Sequence, residues 1–142
     1  MNKFSLDIGK ARYGWVNLDF MNNGKYFFHL NASGVYNPFY DLIDFLEKIS
    51  KNKNGKYIWE IDQEGYDGVM TVIVRGKKII LKTKTYTSRK THPPFKIEYN
   101  KKDFLYVMKC NLLKYYKENK SVIIDEYYPL DFNINQLRKI KW

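Results

Sequence analysis

Residues 16–30 read VNLDFMNNGKYFFHL, and this stretch decides the fold class. Val16, Leu18 and Phe20 alternate with Asn17 and Asp19, the pattern of a half-buried strand. Tyr26, Phe28 and Leu30 follow on the far side of Asn23-Gly24. Asn-Gly between two alternating runs signals a hairpin, because both turn positions need positive φ. Strands are therefore predicted near 12–21 and 25–31. Upstream, Phe4, Leu6 and Ile8 alternate with Ser5 and Asp7 and predict another strand.

Downstream, Asn37-Pro38 opens a helix: Asn caps free N–H groups and Pro suits the first helical position. Phe39, Leu42, Ile43, Leu46 and Ile49 share one face, with Asp41, Asp44 and Glu47 towards the other. Asp41 suits the positive end of the helix dipole, and Lys48 and Lys51 the negative end. Residues 52–55 end this helix. Residues 57–62 (YIWEID) read as a strand, 63–68 as a turn and the β-branched run 69–74 as a strand. Arg75-Gly76 makes a tight turn, 78–87 continues as a long strand, and 88–94, with two prolines, is a loop. Asn100 with Asp103 resembles a capping box. Phe104, Leu105, Met108, Leu112 and Tyr115 then mark a second helix, ending near Glu118. Residues 122–124 read as a short strand. The tail is open between a strand, from the alternation of Leu130, Phe132 and Ile134, and a final helical turn capped by Asn133 with Gln136. The predicted order is β-β-β-α-β-β-β-α plus a tail. Consecutive hairpins imply an α+β fold, a single antiparallel sheet of about six strands with two main helices packed on one face.

The chain has 142 residues, which suits a single domain over 1–142. That length buries roughly 70% of the unfolded chain's surface. Aromatic residues make up 18%, which argues against disorder. No apolar run approaches the roughly 18 residues of a membrane span, and no secretory signal opens the chain, so no membrane partner is expected. Cys110 is the single cysteine, which excludes an internal disulfide and fits a reducing, cytoplasmic location.

The net charge of +10 is uneven. Residues 1–67 carry 8 basic and 9 acidic side chains, 68–97 carry 8 basic and none acidic, and 98–142 carry 9 basic and 6 acidic. Such asymmetry marks a surface that attracts an anionic partner. Against this, 21 of the 25 basic residues are Lys, whereas planar phosphate or base recognition favours Arg. An AT-rich gene would also raise the Lys count. In the strand 78–87, Ile80, Lys82, Lys84 and Tyr86 share one face, and Arg75, Lys77 and Lys78 sit at the hairpin tip. Arg89 and Lys90 follow in the loop. Lysines interleaved with an aromatic can track a phosphate backbone, protect a strand edge, or rim a protein interface.

The catalytic inventory is thin. His29 reads as a sheet-face histidine, His92 as an exposed loop residue and Cys110 as a small buried thiol. Zinc, phosphate-loop and serine-hydrolase motifs are absent from the sequence. Glu60, Asp62, Glu64 and Gly65 imitate part of a calcium loop, but its twelfth position is Thr71 and its flanks read as strands. Neither a metal nor a cofactor is expected. The acidic set Glu60, Asp62, Glu64 and Asp67 reads instead as a solvated turn or as an acidic contact patch opposite the basic hairpin.

The segment 26–46, YFFHLNASGVYNPFYDLIDFL, resembles a pattern in small orphan bacterial proteins: a strand ending in Ala32-Ser33, then Asn37-Pro38 opening a helix with Asp41-Leu42 near its start. The closing YYPLDFNINQL at 127–137 is similar too. Some such α+β proteins are immunity proteins of bacterial toxin–immunity systems, including contact-dependent growth inhibition. The resemblance implies a non-enzymatic binding protein that blocks a cognate toxin domain. Thirteen tyrosines, more than a core readily hides, fit a contact surface. The expected contact residues are Arg75, Lys77, Lys78, Lys82, Lys84 and Tyr86 with Glu60, Asp62, Glu64 and Asp67. The alternative is a nucleic-acid-binding domain using the 75–90 hairpin.

Overall fold

The Asn23-Gly24 turn forms as its chemistry requires, with φ +53° at Asn23 and +80° at Gly24. It joins β2 (Trp15–Asn22) to β3 (Lys25–Ser33), and β1 (Phe4–Ile8) pairs with the other side of β2. A register shift between Phe20 and Met21 lets both Phe27 and Phe28 be buried. The strand expected from residue 12 begins at Trp15. Residues 12–15 instead close a second tight turn, with Tyr13 at φ +51° and Gly14 at +77°.

The computed structural model describes residues 2–64, 67–86, 94–125 and 130–141, with the backbone only at 86 and 121–125. Arg89, Lys90 and His92, and the loop expected at 88–94 apart from Pro94, lie outside the described residues.

Helix α1 (Phe39–Lys51) buries Phe39, Leu42, Ile43, Leu46 and Ile49, and Phe45 as well. Pro38 precedes it, and Asn37 Oδ1 accepts from the Phe39 N–H at 2.8 Å. A second sheet follows: β4 (Asn54–Asp62), β5 (Asp67–Arg75), β6 (Lys78–Tyr86) and β7 (Phe95–Asn100), paired antiparallel in that order. Helix α2 (Lys101–Asp125) and the short α3 (Ile134–Lys139) complete the chain.

The expected single six-strand sheet is corrected to two sheets, of three and four strands. The overlooked strand is β7, although Phe95, Ile97 and Tyr99 alternate with Lys96 and Glu98. The sheets do not join edge to edge. The Asn31 N–H, on β3, donates to the buried Gln63 Oε1 at 2.7 Å. Their apolar faces meet instead: Phe20 lies edge-on to Trp59, and Phe27 stacks on Phe95 at 4.1 Å. A Cβ at Gly68 would lie 2.6 Å from Leu30 Cδ2, so the absence of a side chain there permits the approach.

The helices are likewise not confined to one sheet face. Helix α1 packs on β4, and α2 packs on β1 and β7. The strand expected at 122–124 is instead the last turn of α2, since nothing from 118 to 125 breaks a helix. The tail resolves as α3: Asn133 Oδ1 accepts from the Asn135 and Gln136 N–H groups, both at 3.1 Å. One hydrophobic cluster runs through both sheets and all three helices. Among the described residues, no helix is long and apolar enough to cross a membrane.

Candidate functional site

Strand parity divides the four-stranded sheet into two faces. Trp59, Ile61, Met70, Val72, Val74, Ile79 and Leu81 point into the core. Among the described residues, the opposite face is covered by no other element. Its cross-strand rows follow from the register: Asp62–Asp67–Tyr86, Glu60–Val69–Lys84, Ile58–Thr71–Lys82–Lys96, Lys56–Ile73–Ile80–Glu98 and Asn54–Arg75–Lys78–Asn100. Ile58, Val69, Ile73 and Ile80 form an apolar centre, with Ile58 53% exposed. The open face is therefore acidic where β4 meets β5 and basic along β6 and β7.

The expected contact residues thus divide. Glu60, Asp62 and Asp67 gather at one corner. The Glu64 N–H closes the adjoining turn by donating to Asp62 Oδ1 at 2.8 Å, with Glu64 at φ +57°. The calcium-like spacing falls on two strands, with Thr71 paired opposite Lys82. Lys82 and Lys84 lie mid-strand. Lys82 faces Lys96 directly, and neither has a carboxylate within ion-pair distance among the described residues. Val69, Thr71, Lys82, Lys84, Phe95 and Lys96 help line a cleft of about 410 Å³. Lys96 was not expected there, because its strand was not foreseen. Arg75, Lys77 and Lys78 are exposed at the hairpin tip, and Lys78 pairs with Glu98 at 3.2 Å. Six residues separate Lys78 from Lys84, about 20 Å along a strand, so tip and stripe are separate cationic sites. Of Tyr86 only the backbone is described.

A second exposed surface lies at one end of the three-stranded sheet. The Gly34 N–H donates to Gly14 O at 2.7 Å, and Trp15 pairs with Ser33. These contacts bring the 12–15 turn beside residues 34–36, which form a 3-10 turn. Tyr13, Trp15, Val35 and Tyr36 are all exposed there, Tyr13 to 83%. Tyr40 extends the patch; its hydroxyl donates to Asp131 Oδ1 at 3.0 Å. Burial, then the bond to Asp131 and its charge, raise the Tyr40 phenol above its ordinary pKa. A bulky residue with positive φ costs about 1–2 kcal/mol, and the 12–15 turn bears that cost at Tyr13, whose ring stands in solvent. Lys10 and Arg12 border this corner without a carboxylate partner among the described residues. The tyrosine count hinted at such a surface, but no local pattern located it, because its members come from two segments, Tyr13 with Trp15 and Val35 to Tyr40.

His29 has a partner the sequence did not indicate. On the outer face of the three-stranded sheet Asp7, Asp19 and His29 form one row, and His29 Nδ1 is hydrogen-bonded to Asp19 Oδ1. Among the described residues no nucleophile is bonded to that ring. Cys110 is corrected from buried to exposed. It lies two residues, about 200° around the helix, from the buried Met108.

No protein family, curated protein or solved structure matches the chain.

Proposed function

We propose that this protein is a non-enzymatic binding module of the immunity type, which blocks a cognate toxin domain by covering it. The observation that carries this reading is the aromatic corner of Tyr13, Trp15, Val35, Tyr36 and Tyr40. Trp, Tyr and Arg dominate the energetics of protein interfaces, and Arg12 adjoins these rings. The corner is cationic at Lys10 and Arg12 and anionic at Asp131, which Tyr40 contacts. That mixture favours a protein with both charges over a polyanion, which Asp131 would repel. The charged face formed by Glu60, Asp62, Asp67, Lys82 and Lys84 is a second protein-contact surface in this reading.

The test is co-expression with the product of the adjacent upstream gene. Co-purification that is lost on Trp15→Ala or Tyr13→Ala, in chains that remain folded, supports the reading. Failure of the two proteins to co-purify refutes that pairing.

A second reading, nucleic-acid binding, is favoured by Lys82 and Lys96, which oppose each other with no acid between them. It requires steeply salt-dependent affinity for RNA or DNA that Lys82→Glu with Lys84→Glu abolishes. Negligible binding at low salt eliminates it.

A further inference from the structure

The first strand of the four-stranded sheet has an unpaired edge whose residues match themselves. Strand β4 runs for 9 residues without a register shift, and β5 holds only one of its sides. The Gly76 N–H donates to Lys53 O at 2.7 Å, which sets the phase of the ladder. The odd-numbered residues of β4 therefore bond to β5, while Lys56, Ile58 and Glu60 aim their N–H and C=O groups away from it. Among the described residues, no backbone group pairs with that side. Helix α1 leaves it open: Asp41, Asp44, Phe45 and Lys48 with residues 56–60 line a cleft of about 540 Å³ alongside. We infer that this edge pairs antiparallel with β4 of a second copy of the chain, about a two-fold axis at Ile58, joining two four-stranded sheets into one. The inference is independent of the toxin and of the aromatic corner.

The axis sets Ile58 against Ile58 of the second copy, Lys56 against its Glu60 and Glu60 against its Lys56. Each of these rows makes two backbone hydrogen bonds, about six in all. The side chains of the three rows share the outer face, where Ile58 is exposed. Asn54 and Asp62 oppose each other at the two ends, so no row brings like charges together. Neither Lys56 nor Glu60 has an ion-pair partner among the described residues, and the pairing supplies one to each.

The match belongs to this register alone. Centring the axis at Lys56 or at Glu60 sets like charges opposite each other. Centring it at Tyr57 or at Trp59 sets Ile58 against Lys56 or Glu60. A foreign strand needs no symmetry about Ile58, whereas a second copy requires it. Edge strands are commonly blunted by proline, by bulges or by unanswered lysines. Strand β4 has no proline and no register shift, and its one lysine is answered by Glu60. Backbone bonds around a small apolar contact predict a reversible dimer of micromolar strength.

Sedimentation equilibrium of the whole chain across about 1–500 μM tests this, and a monomer–dimer equilibrium is expected. Ile58→Pro should abolish it: the lost N–H points away from β5, so the variant keeps its own ladder, checked by circular dichroism. Lys56→Glu and Glu60→Lys should each weaken the dimer by about tenfold or more, because like charges then meet twice. An equal mixture of these two variants should recover, since both charged rows of the heterodimer are again opposite. Amide exchange gives a second readout. The Lys56, Ile58 and Glu60 amides should gain protection as concentration rises, while Tyr57 and Trp59, already bonded to β5, should not change. A wild-type chain that stays monomeric overturns the inference and leaves the aromatic corner's role untouched. A dimer that is lost on Trp15→Ala but indifferent to the β4 substitutions, or a mixture that fails to recover, overturns it as well.

Discussion

Asn119 ties α2 to the segment between β1 and β2, and removing its side chain should have a measurable cost. It is buried within the last third of α2. Its Oδ1 accepts from the Ala11 N–H at 3.0 Å, and its Nδ2 donates to Tyr115 O at 2.9 Å. Ala11 is itself 3% exposed, so water does not replace the lost acceptor. In Asn119→Ala a buried amide is stranded, costing about 1–3 kcal/mol, and the small void left behind adds about 1 kcal/mol. A loss of about 2–4 kcal/mol is expected, which for a chain of this length lowers Tm by roughly 6–14 °C. Lys117→Ala, exposed on the same helix, is the control and should move Tm by less than about 2 °C. Urea denaturation followed by circular dichroism measures the loss, and amide exchange at Ala11 localises it: that proton should exchange at least tenfold faster in the variant. If Asn119→Ala matches the control, or Ala11 keeps its protection, the bridge does not stabilise the fold as argued.

Four further outcomes follow from the same structure. Gly68→Ala should destabilise by about 1–2 kcal/mol through overpacking, because the new methyl meets Leu30 and Phe28; a raised Tm would show that those side chains have room. Asn133→Ala should cost about 0.5–2 kcal/mol and fray α3, seen as faster exchange of the Asn135 and Gln136 amides, and unchanged exchange there would remove the cap's importance. Burial raises the Tyr99 and Tyr115 phenols above their usual pKa, and the Asp131 charge raises Tyr115 further. Unfolded tyrosines ionise near pH 10 while these stay protonated in the native state, so their stability contribution is full below about pH 10 and is lost as pH rises above it, by up to about 1.4 kcal/mol per unit for each. Urea titrations at pH 8 and pH 11, with phenolate absorbance at 295 nm, check this, and native-state ionisation of all tyrosines near pH 10 would contradict it. Cys110 should react with a thiol reagent in one fast phase without denaturant, whereas reaction only after unfolding would contradict its exposure.

Local chemistry determined much of this fold. Asn23-Gly24, flanked by alternating apolar residues, set one hairpin, and the spacing of Phe39, Leu42, Ile43, Leu46 and Ile49 set α1 and its buried face. A lone cysteine reads as buried by habit of composition, although the place of Cys110, two residues from Met108, sets it off the buried stripe of α2. Strand parity in 78–86 put Lys82 and Lys84 on one face before any partner strand was known.

Association between distant segments was not legible in this way. Alternation marks a strand but not its sheet, so nothing in the residues alone divided seven strands into three and four. Where the two sheets meet, Gln63 takes the Asn31 amide and Gly68 admits Leu30 and Phe28. Likewise, Asp19 beside His29, Lys96 opposite Lys82, and Trp15 near Tyr36 are products of register and chain reversal. The sequence by itself determined the β2–β3 hairpin, α1 and most of α2, because backbone preference and side-chain period act over a few neighbours. Only the tertiary structure decided that acid and lysine share one open sheet face and that exposed aromatics meet at one corner, because those contacts join residues whose separation along the chain carries no local signal.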